Sequence, residues 1–520
     1  MASQPISAPW LVPQPQRMTP ARTPWEPTPD ARIHVAERDL EALRASARML
    51  SRVLDDCSGE PRRPASGEQS SRIVVTPAGC EPEPRVGDVV LRLDAAHLDG
   101  RAEAWSARSE GVLTVVATDR AGAYYAVRRL TQHLERRSAL DIDLVDWPAY
   151  PERGVLLDIA RKHFPVEWIE GLIEEMGSLG LNTLQLHISD GLGFRVASAA
   201  HPEVASDPHL TAQDVKRLIR HAAAHHVSIV PDVDTPAHMD HLLRSHPEWQ
   251  LRLADGTVIP GHMDLADPAA RRFVEEIVAE MADLFEATSM HLGGDEYLPA
   301  PWEGTGPGTV TTHSAPHLAQ WATKRLGESA SAADALLVHL ADLADMLRDR
   351  GIRARVWNDE VDPARHPRLA AETTVHVWVR WNESLPSATD ISRGGHPLVN
   401  ANGDYLYFIL TEDGLGTGPT KHPRAIYEKW TPRTFMGAAG NGGDHLLPSD
   451  SGADLRGAHM SIWCDHPAAM DTDEIAEALT PWLRAFAQKV WDSPLGADYD
   501  EFEGAARSGT RQATTVLFDE

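Results

Sequence analysis

From Arg153 onward, short apolar runs alternate with stretches of helical period. Residues 154–158, 183–188, 227–231, 289–293, 353–357, 374–378, 397–401 and 459–463 each read as a short buried strand. Between them lie one-sided apolar faces. Trp168, Ile169, Leu172, Ile173, Met176 and Leu179 mark one helix, and Val215, Leu218, Ile219 and Ala222 the next. Phe273, Ile277, Met281, Leu284 and Phe285 mark a third, and Leu336, Leu337, Leu340, Leu343 and Leu347 a fourth, while 475–491 closes the series. Eight strand candidates in roughly 340 residues, mostly separated by helices, predict an α/β fold: a (β/α)8 TIM barrel. A doubly wound open sheet is the alternative. Its phosphate-binding fingerprint is missing, because Gly191-Leu192-Gly193 lacks the third glycine.

The segment ahead of the barrel is patterned differently. Residues 1–30 are rich in proline and are expected as a flexible arm. Residues 31–147 mix helical periods at 37–54 and 124–134 with a strand at 112–116 and a Pro/Gly/Ser loop at 59–70, which predicts a small α+β domain. The barrel is expected over 148–495, with a C-terminal tail over 496–520.

Composition narrows the partners. The net charge of −27 argues against nucleic acid and anionic membranes, which demand basic patches. Three widely spaced cysteines make no disulfide framework. No basic head followed by an apolar run opens the chain, so a cytoplasmic location is expected, or a secreted one if the start lies elsewhere. Of the aromatic residues, 15 are Trp against 8 Tyr and 9 Phe, a bias that suits stacking on sugar faces.

The chemistry gathers where the strands end. The second run ends in His187-Ile188-Ser189-Asp190 and the third in Asp232-Val233-Asp234-Thr235-Pro236-Ala237-His238. The fourth ends in His291-Leu292-Gly293-Gly294-Asp295-Glu296, the fifth in Trp357, the sixth in Trp378 and the eighth in Trp463-Cys464-Asp465. In a barrel this is the catalytic rim. The two glycines allow a sharp turn, and two adjacent carboxylates follow, candidates for acid/base work on a sugar. Successive side chains leaving a strand diverge, so they are poorly placed as acid and nucleophile about 5–5.5 Å apart across one bond. A metal-dependent hydrolase is a rival, with His187, Asp190, Asp232, Asp234, His238 and His291 as ligands, although no tight His-x-His or His-Glu-x-x-His pair lies on one element. A non-catalytic glycan binder is another.

Specific matches join these strand ends. They are Asp146-Trp147-Pro148, then Arg153-Gly154-Val155-Leu156-Leu157-Asp158-Ile159-Ala160-Arg161, Asn182, 187–190, Gly193-Phe194-Arg195, 230–238 and 291–296. In this order the chain resembles the family 20 glycoside hydrolases, the β-N-acetylhexosaminidases. The resemblance implies substrate-assisted retaining hydrolysis, in which the substrate's 2-acetamido oxygen attacks the anomeric carbon to give an oxazolinium-like intermediate. It implies Glu296 as general acid and then base, Asp295 as the residue orienting the acetamide, and Asp190 with His238 as a relay behind Glu296. Arg153 would bond the sugar's 3- and 4-hydroxyls, and Tyr405 the acetamide oxygen. Trp357, Trp378 and Trp463 would wall the sugar, with His291 and Asp465 in the substrate-binding set and Trp381 stacking a leaving-group sugar. No metal or cofactor is required, and the partner is an oligosaccharide or glycoconjugate.

Three departures bear on specificity. Tyr405-Leu406-Tyr407 replaces the family's Tyr-Leu-Asp, and Trp463-Cys464-Asp465 replaces Trp-x-Glu. The runs Asp404-Tyr405-Leu406-Tyr407-Phe408 and Tyr427-Glu428-Lys429-Trp430 look more like the subgroup of lacto-N-biosidases and biofilm-dispersing hexosaminidases. Exo-hydrolysis of terminal β-linked N-acetylglucosamine or N-acetylgalactosamine is therefore expected, with lacto-N-biosidase or β-1,6-N-acetylglucosamine polymer hydrolase as alternatives. The insertion at 299–312 is expected to form a loop beside the acid.

Overall fold

The computed structural model describes residues 11–58, 72–134, 139–298, 310–359, 361–364, 369–438, 443–494 and 498–508. Its first domain is a seven-stranded sheet in the order Arg17–Trp25, Leu140–Asp146, Trp105–Ser109, Leu113–Ala117, Val89–Leu93, Ile33–Ala36, Ile73–Thr76. Helices Leu40–Ser58 and Arg120–Leu134 carry apolar stripes that close its core, with Leu43, Leu50, Tyr125 and Leu130 fully buried. Part of the proline-rich start is held in this sheet. Residues 17–25 pair antiparallel with Leu140–Asp146, an edge position that tolerates Pro20. The expected tail likewise holds a helix, Tyr499–Ser508, whose Phe502 packs on Tyr427 at 4.6 Å.

The second domain is the closed parallel barrel. Its strands are Glu152–Asp158, Thr183–Asp190, Ser228–Thr235, Ser289–Gly293, Arg353–Trp357, Thr374–Val377, Leu398–Asn400 and Leu455–Trp463, and the eighth pairs back onto the first. The outer helices turn their apolar faces inward: Phe273, Ile277 and Met281 of Pro268–Leu284 are 3%, 0% and 0% exposed. Asp267 and the capping boxes at Thr211 and Asp471 bond the free N–H groups at three helix starts.

Two strands differ from the sequence reading in ways that shape the rim. The third continues to Thr235 instead of stopping at 231. Periodicity counts Asp232 as a break, yet its Oδ2 is satisfied inside the barrel, accepting from Gln185 Nε2 and His187 Nδ1 at 2.9 Å each. The seventh is short. Leu398–Asn400 pairs with the first half of the eighth strand, and Tyr407–Thr411 then returns beside its second half, setting Tyr407 opposite Ser461.

Arg153 is corrected by this frame. It lies at the N-terminal end of the first strand, and the run from it to Asp158 puts about 17 Å between it and the rim. Its fully buried guanidinium donates to Gly180 O and Tyr150 O at 2.6 and 2.7 Å, pairs with Glu103, and lies 5.1 Å from the Trp491 ring. It fastens the barrel floor to the first domain and does not face a sugar. Arg153→Leu should lower unfolding stability by about 3 kcal/mol, because it strands carbonyls and a carboxylate without partners. Thermal unfolding checks this, and kcat of the folded fraction should be unchanged.

Candidate active site

The fourth strand ends in a turn that only glycines allow. Gly293 and Gly294 have φ of +74° and +99°. A Cβ on Gly293 would stand 1.9 Å from Asp234 Oδ1, and one on Gly294 2.8 Å from Leu340. The turn therefore presses Asp295 and Glu296 against the end of the third strand. Glu296 and His238 are both left-handed, with φ of 50° and 56°. Each such non-glycine residue costs roughly 1–3 kcal/mol, a strain concentrated at functional sites.

These groups open into a cavity of about 310 Å³ on the C-terminal rim. Asp190, Asp234, His238, Asp295 and Glu296 line one side, and Trp357, Trp378, Trp381, Tyr407 and Trp463 the other. That is near the small end of ligand pockets, which run from roughly 300 to 1,000 Å³.

His238 stands at the centre of the charges. Its Nε2 is 3.3 Å from Glu296 Oε2 and 3.6 Å from Asp295 Oδ2, and its Nδ1 is 3.9 Å from Asp190 Oδ1. Burial alone would lower its pKa, but the paired Glu296 carboxylate and the Asp295 and Asp190 charges raise it to about 9. The same pairing with His238 holds Glu296 below the ordinary carboxylate range. The His238–Glu296 pair thus stores one proton. Asp190 is fixed from behind by His187 Nε2 at 3.0 Å and Arg161 at 2.8 Å. His187, with a carboxylate on each ring nitrogen, overcomes its burial and rises to about 10.

Asp295 lies against Asp234. Burial raises Asp295, and burial together with the neighbouring Asp295 charge raises Asp234 well above its ordinary value. The rise is the greater on Asp234, which favours charge on Asp295 over charge on Asp234. Asp295 Oδ1 is then a buried acceptor without a hydrogen-bond partner. A buried lone acceptor in a pocket is satisfied by a donor on a ligand.

The aromatic side is built as a box. Trp378 and Tyr407 stack within 4° of parallel at 6.0 Å, Trp463 meets Tyr407 at 5.8 Å, and Trp357 meets Trp463 at 6.3 Å. Asp359 braces one corner, accepting from Trp378 Nε1 at 2.8 Å, Trp381 Nε1 at 3.2 Å and the Glu296 backbone N–H at 3.3 Å. Burial, reinforced by Asp295, raises Asp359 to about 7. At the outer end, Asp404, Lys421 and Asp465 line the opening, with Asp465 3.8 Å from Arg161.

Most of the residues singled out in the sequence meet here, and three do not. Arg153 is on the barrel floor, as described. His291 is fully buried beneath the pocket, 3.3 Å from Asp232 and 4.7 Å from the Trp357 ring, where it supports the wall. Tyr405 points away and donates to Asp444 at 3.2 Å, while Tyr407 lines the cavity. The 299–309 part of the insertion and Glu360 lie outside the described residues. Arg161, Tyr407 and Lys421 were missed, and Asp234 was singled out only as a metal ligand. Strand direction could have found Arg161, which follows the end of the first strand by three residues, where Arg153 opens it. Tyr407→Phe should lower kcat roughly 10²-fold, as loss of a polar group facing the reacting atoms does. Tyr405→Phe should leave kcat unchanged and cost only about 1 kcal/mol of stability. Steady-state kinetics and thermal melts on the two variants separate these outcomes.

A barrel with an acid pair, a histidine relay and an aromatic box on its catalytic rim has the make-up of a glycoside hydrolase. The profile described as "Glycosyl hydrolase family 20, catalytic domain" matches residues 150–494, and the chain belongs to that family. It is 24% identical over 468 residues to a lacto-N-biosidase of Bifidobacterium bifidum, across 89% of this chain and 38% of that one. It is 24% identical over 388 residues to a β-N-acetylhexosaminidase of Cellulomonas fimi, across 69% and 67%. The chain thus spans about two fifths of the lacto-N-biosidase's length. The structure of the family 20 β-N-acetylhexosaminidase of Streptomyces coelicolor A3(2) superposes with a TM-score of 0.71 at 21% identity, covering 98% of this chain and 96% of that one.

Proposed function

We propose that the chain is an exo-acting β-N-acetylhexosaminidase that works by substrate-assisted, retaining catalysis. The observation that carries the reading is the division of the acid pair. Asp295 offers a buried, unpartnered oxygen inside an aromatic box, while Glu296 faces the opening on a proton-bearing histidine.

In this reading the terminal sugar enters with its 2-acetamido group between Trp357, Trp378 and Trp463. Asp295 accepts the acetamide N–H, and Tyr407 donates to its oxygen. Held so, that oxygen attacks the anomeric carbon, and the carbon–oxygen bond to the leaving group breaks. Glu296 gives the leaving oxygen its proton, drawn from the pair with His238. Positive charge spreads over the oxazolinium ring, where the Asp295 carboxylate stabilises it. Water, deprotonated by Glu296, then opens the ring at the anomeric carbon and restores the configuration. Arg161 and Asp465, at the far side of the pocket, are the hydroxyl-binding pair for the outer edge of the sugar.

A second reading has its own support. The lacto-N-biosidase aligns over 89% of this chain, the C. fimi hexosaminidase over 69%. Asp404, Lys421 and Asp465 at the pocket's outer end offer polar contacts for a further sugar. Hydrolysis of p-nitrophenyl β-N-acetylglucosaminide, β-N-acetylgalactosaminide and β-lacto-N-bioside decides between the readings. Release from a monosaccharide glycoside supports the first, release from the disaccharide alone supports the second, and turnover of none sinks both.

A further inference from the structure

On the opposite end of the barrel from the pocket, three side chains converge that the hydrolysis does not use. His221 lies on the helix Ala212–Ala224, and His225 ends that helix four residues on, so the two rings share one face. Their centroids are 4.7 Å apart. Glu174, on the neighbouring helix Val166–Ser178, reaches across to 3.4 Å from His221 Nε2. One ligand atom from each of the three lies within 4.8 Å of the others. His225 leads into the third strand at its N-terminal end, and eight residues of strand place the cluster about 25 Å from the catalytic rim.

Two further observations make this more than a surface ion pair. His221 Nε2 is buried and has no hydrogen bond, since its approach to Glu174 lacks the geometry of one. A buried ring nitrogen in that condition calls for a partner. His225 is held in place from outside, with Nδ1 2.9 Å from the Tyr124 hydroxyl, the outer-shell hydrogen bond that orients metal-binding histidines. Tyr124 belongs to the first domain, on the helix Arg120–Leu134. Glu174 is 41% exposed, which leaves an entry path for an ion. Nearby Glu170 is taken up by Arg217 at 2.8 Å. Arg128 is a cation whose field reaches both Glu174 and His225, and it sets a limit on affinity.

We propose that Glu174, His221 and His225 form a binding site for a divalent transition cation of the Zn2+ type, which ties two barrel helices together beside the first domain. Two histidines four apart on a helix plus one carboxylate is a ligand set that zinc accepts, with water in the fourth position. The role is structural, because the site lies at the end of the barrel associated with stability and not with chemistry.

The test uses the untagged full chain, ZnCl2 and isothermal titration. About one Zn2+ should bind per chain, and a saturating excess should raise Tm by about 3 °C or more. Glycoside hydrolysis should not change. His221→Gln and Glu174→Gln should each weaken binding at least about tenfold and abolish the Tm rise. Glu174→Gln keeps the side-chain shape at a partly exposed position, so a folding failure in one variant does not spoil the test. No binding by the wild type at millimolar Zn2+ overturns the proposal. So does binding that both variants retain, in particular with inhibition, which would place the ion at Asp234, His238 and Asp295.

Discussion

Glu296→Gln is expected to lower kcat about 10³-fold on an oligosaccharide substrate, within the range a positioned general acid contributes. Gln keeps the shape of the side chain and removes the proton that the leaving oxygen needs. A p-nitrophenyl leaving group departs with little protonation, so its first step should suffer much less. Deglycosylation should still slow, because Gln cannot take a proton from water. The pH profile is a second readout. In the wild type, activity should fall as pH rises through about 9, where His238 loses the proton it shares with Glu296. Without the Glu296 charge that raises His238, the alkaline limb should move to lower pH. Equal loss on both leaving groups, with an unmoved profile, would contradict the assignment.

Asp295→Asn should lower kcat by roughly 10²- to 10³-fold with little change in KM, the pattern of an interaction that strengthens in the transition state. The buried Asp295 oxygen is expected to accept the acetamide N–H and then to face the positive oxazolinium. Asn can present its oxygen but carries no charge, and it leaves Asp234 next to a neutral neighbour. The effect should be confined to substrates bearing the acetamide. Circular dichroism should show a folded variant, since Asn fits the same space. A loss confined to KM would make Asp295 a simple binding group.

The barrel was legible because its code is repeated. Each strand is a short apolar run and each helix a one-sided stripe, so an error of a few residues at one boundary leaves the alternation intact. The acid pair was legible because its neighbours are constrained too: Gly293 and Gly294 are needed for the turn, and Asp234 for the space behind it. Arg153 and Arg161 show where the reading failed. Both are arginines in one motif, and only strand direction tells the floor from the rim. Tyr405 and Tyr407 have the same parity along the chain, so alternation could not separate them. What does separate them is the return of residues 407–411 beside the eighth strand, a long-range pairing with no local signal. His291 was misplaced for a related reason. A strand residue five positions before the acid shares its motif but faces the barrel interior, where Asp232 takes it.

The central claim is that the substrate's own acetamide oxygen is the nucleophile, held by Asp295 and Tyr407. It is tested most directly by kcat/KM on a series of β-N-acylglucosaminides, or the matching lacto-N-biosides, whose acyl methyl carries zero, one, two or three fluorines. Fluorine withdraws electron density from the attacking oxygen and barely changes its position. A steep, steady fall in rate along the series is the predicted result. A flat series would mean that the acetamide only binds, and that a group of the protein or water attacks the anomeric carbon.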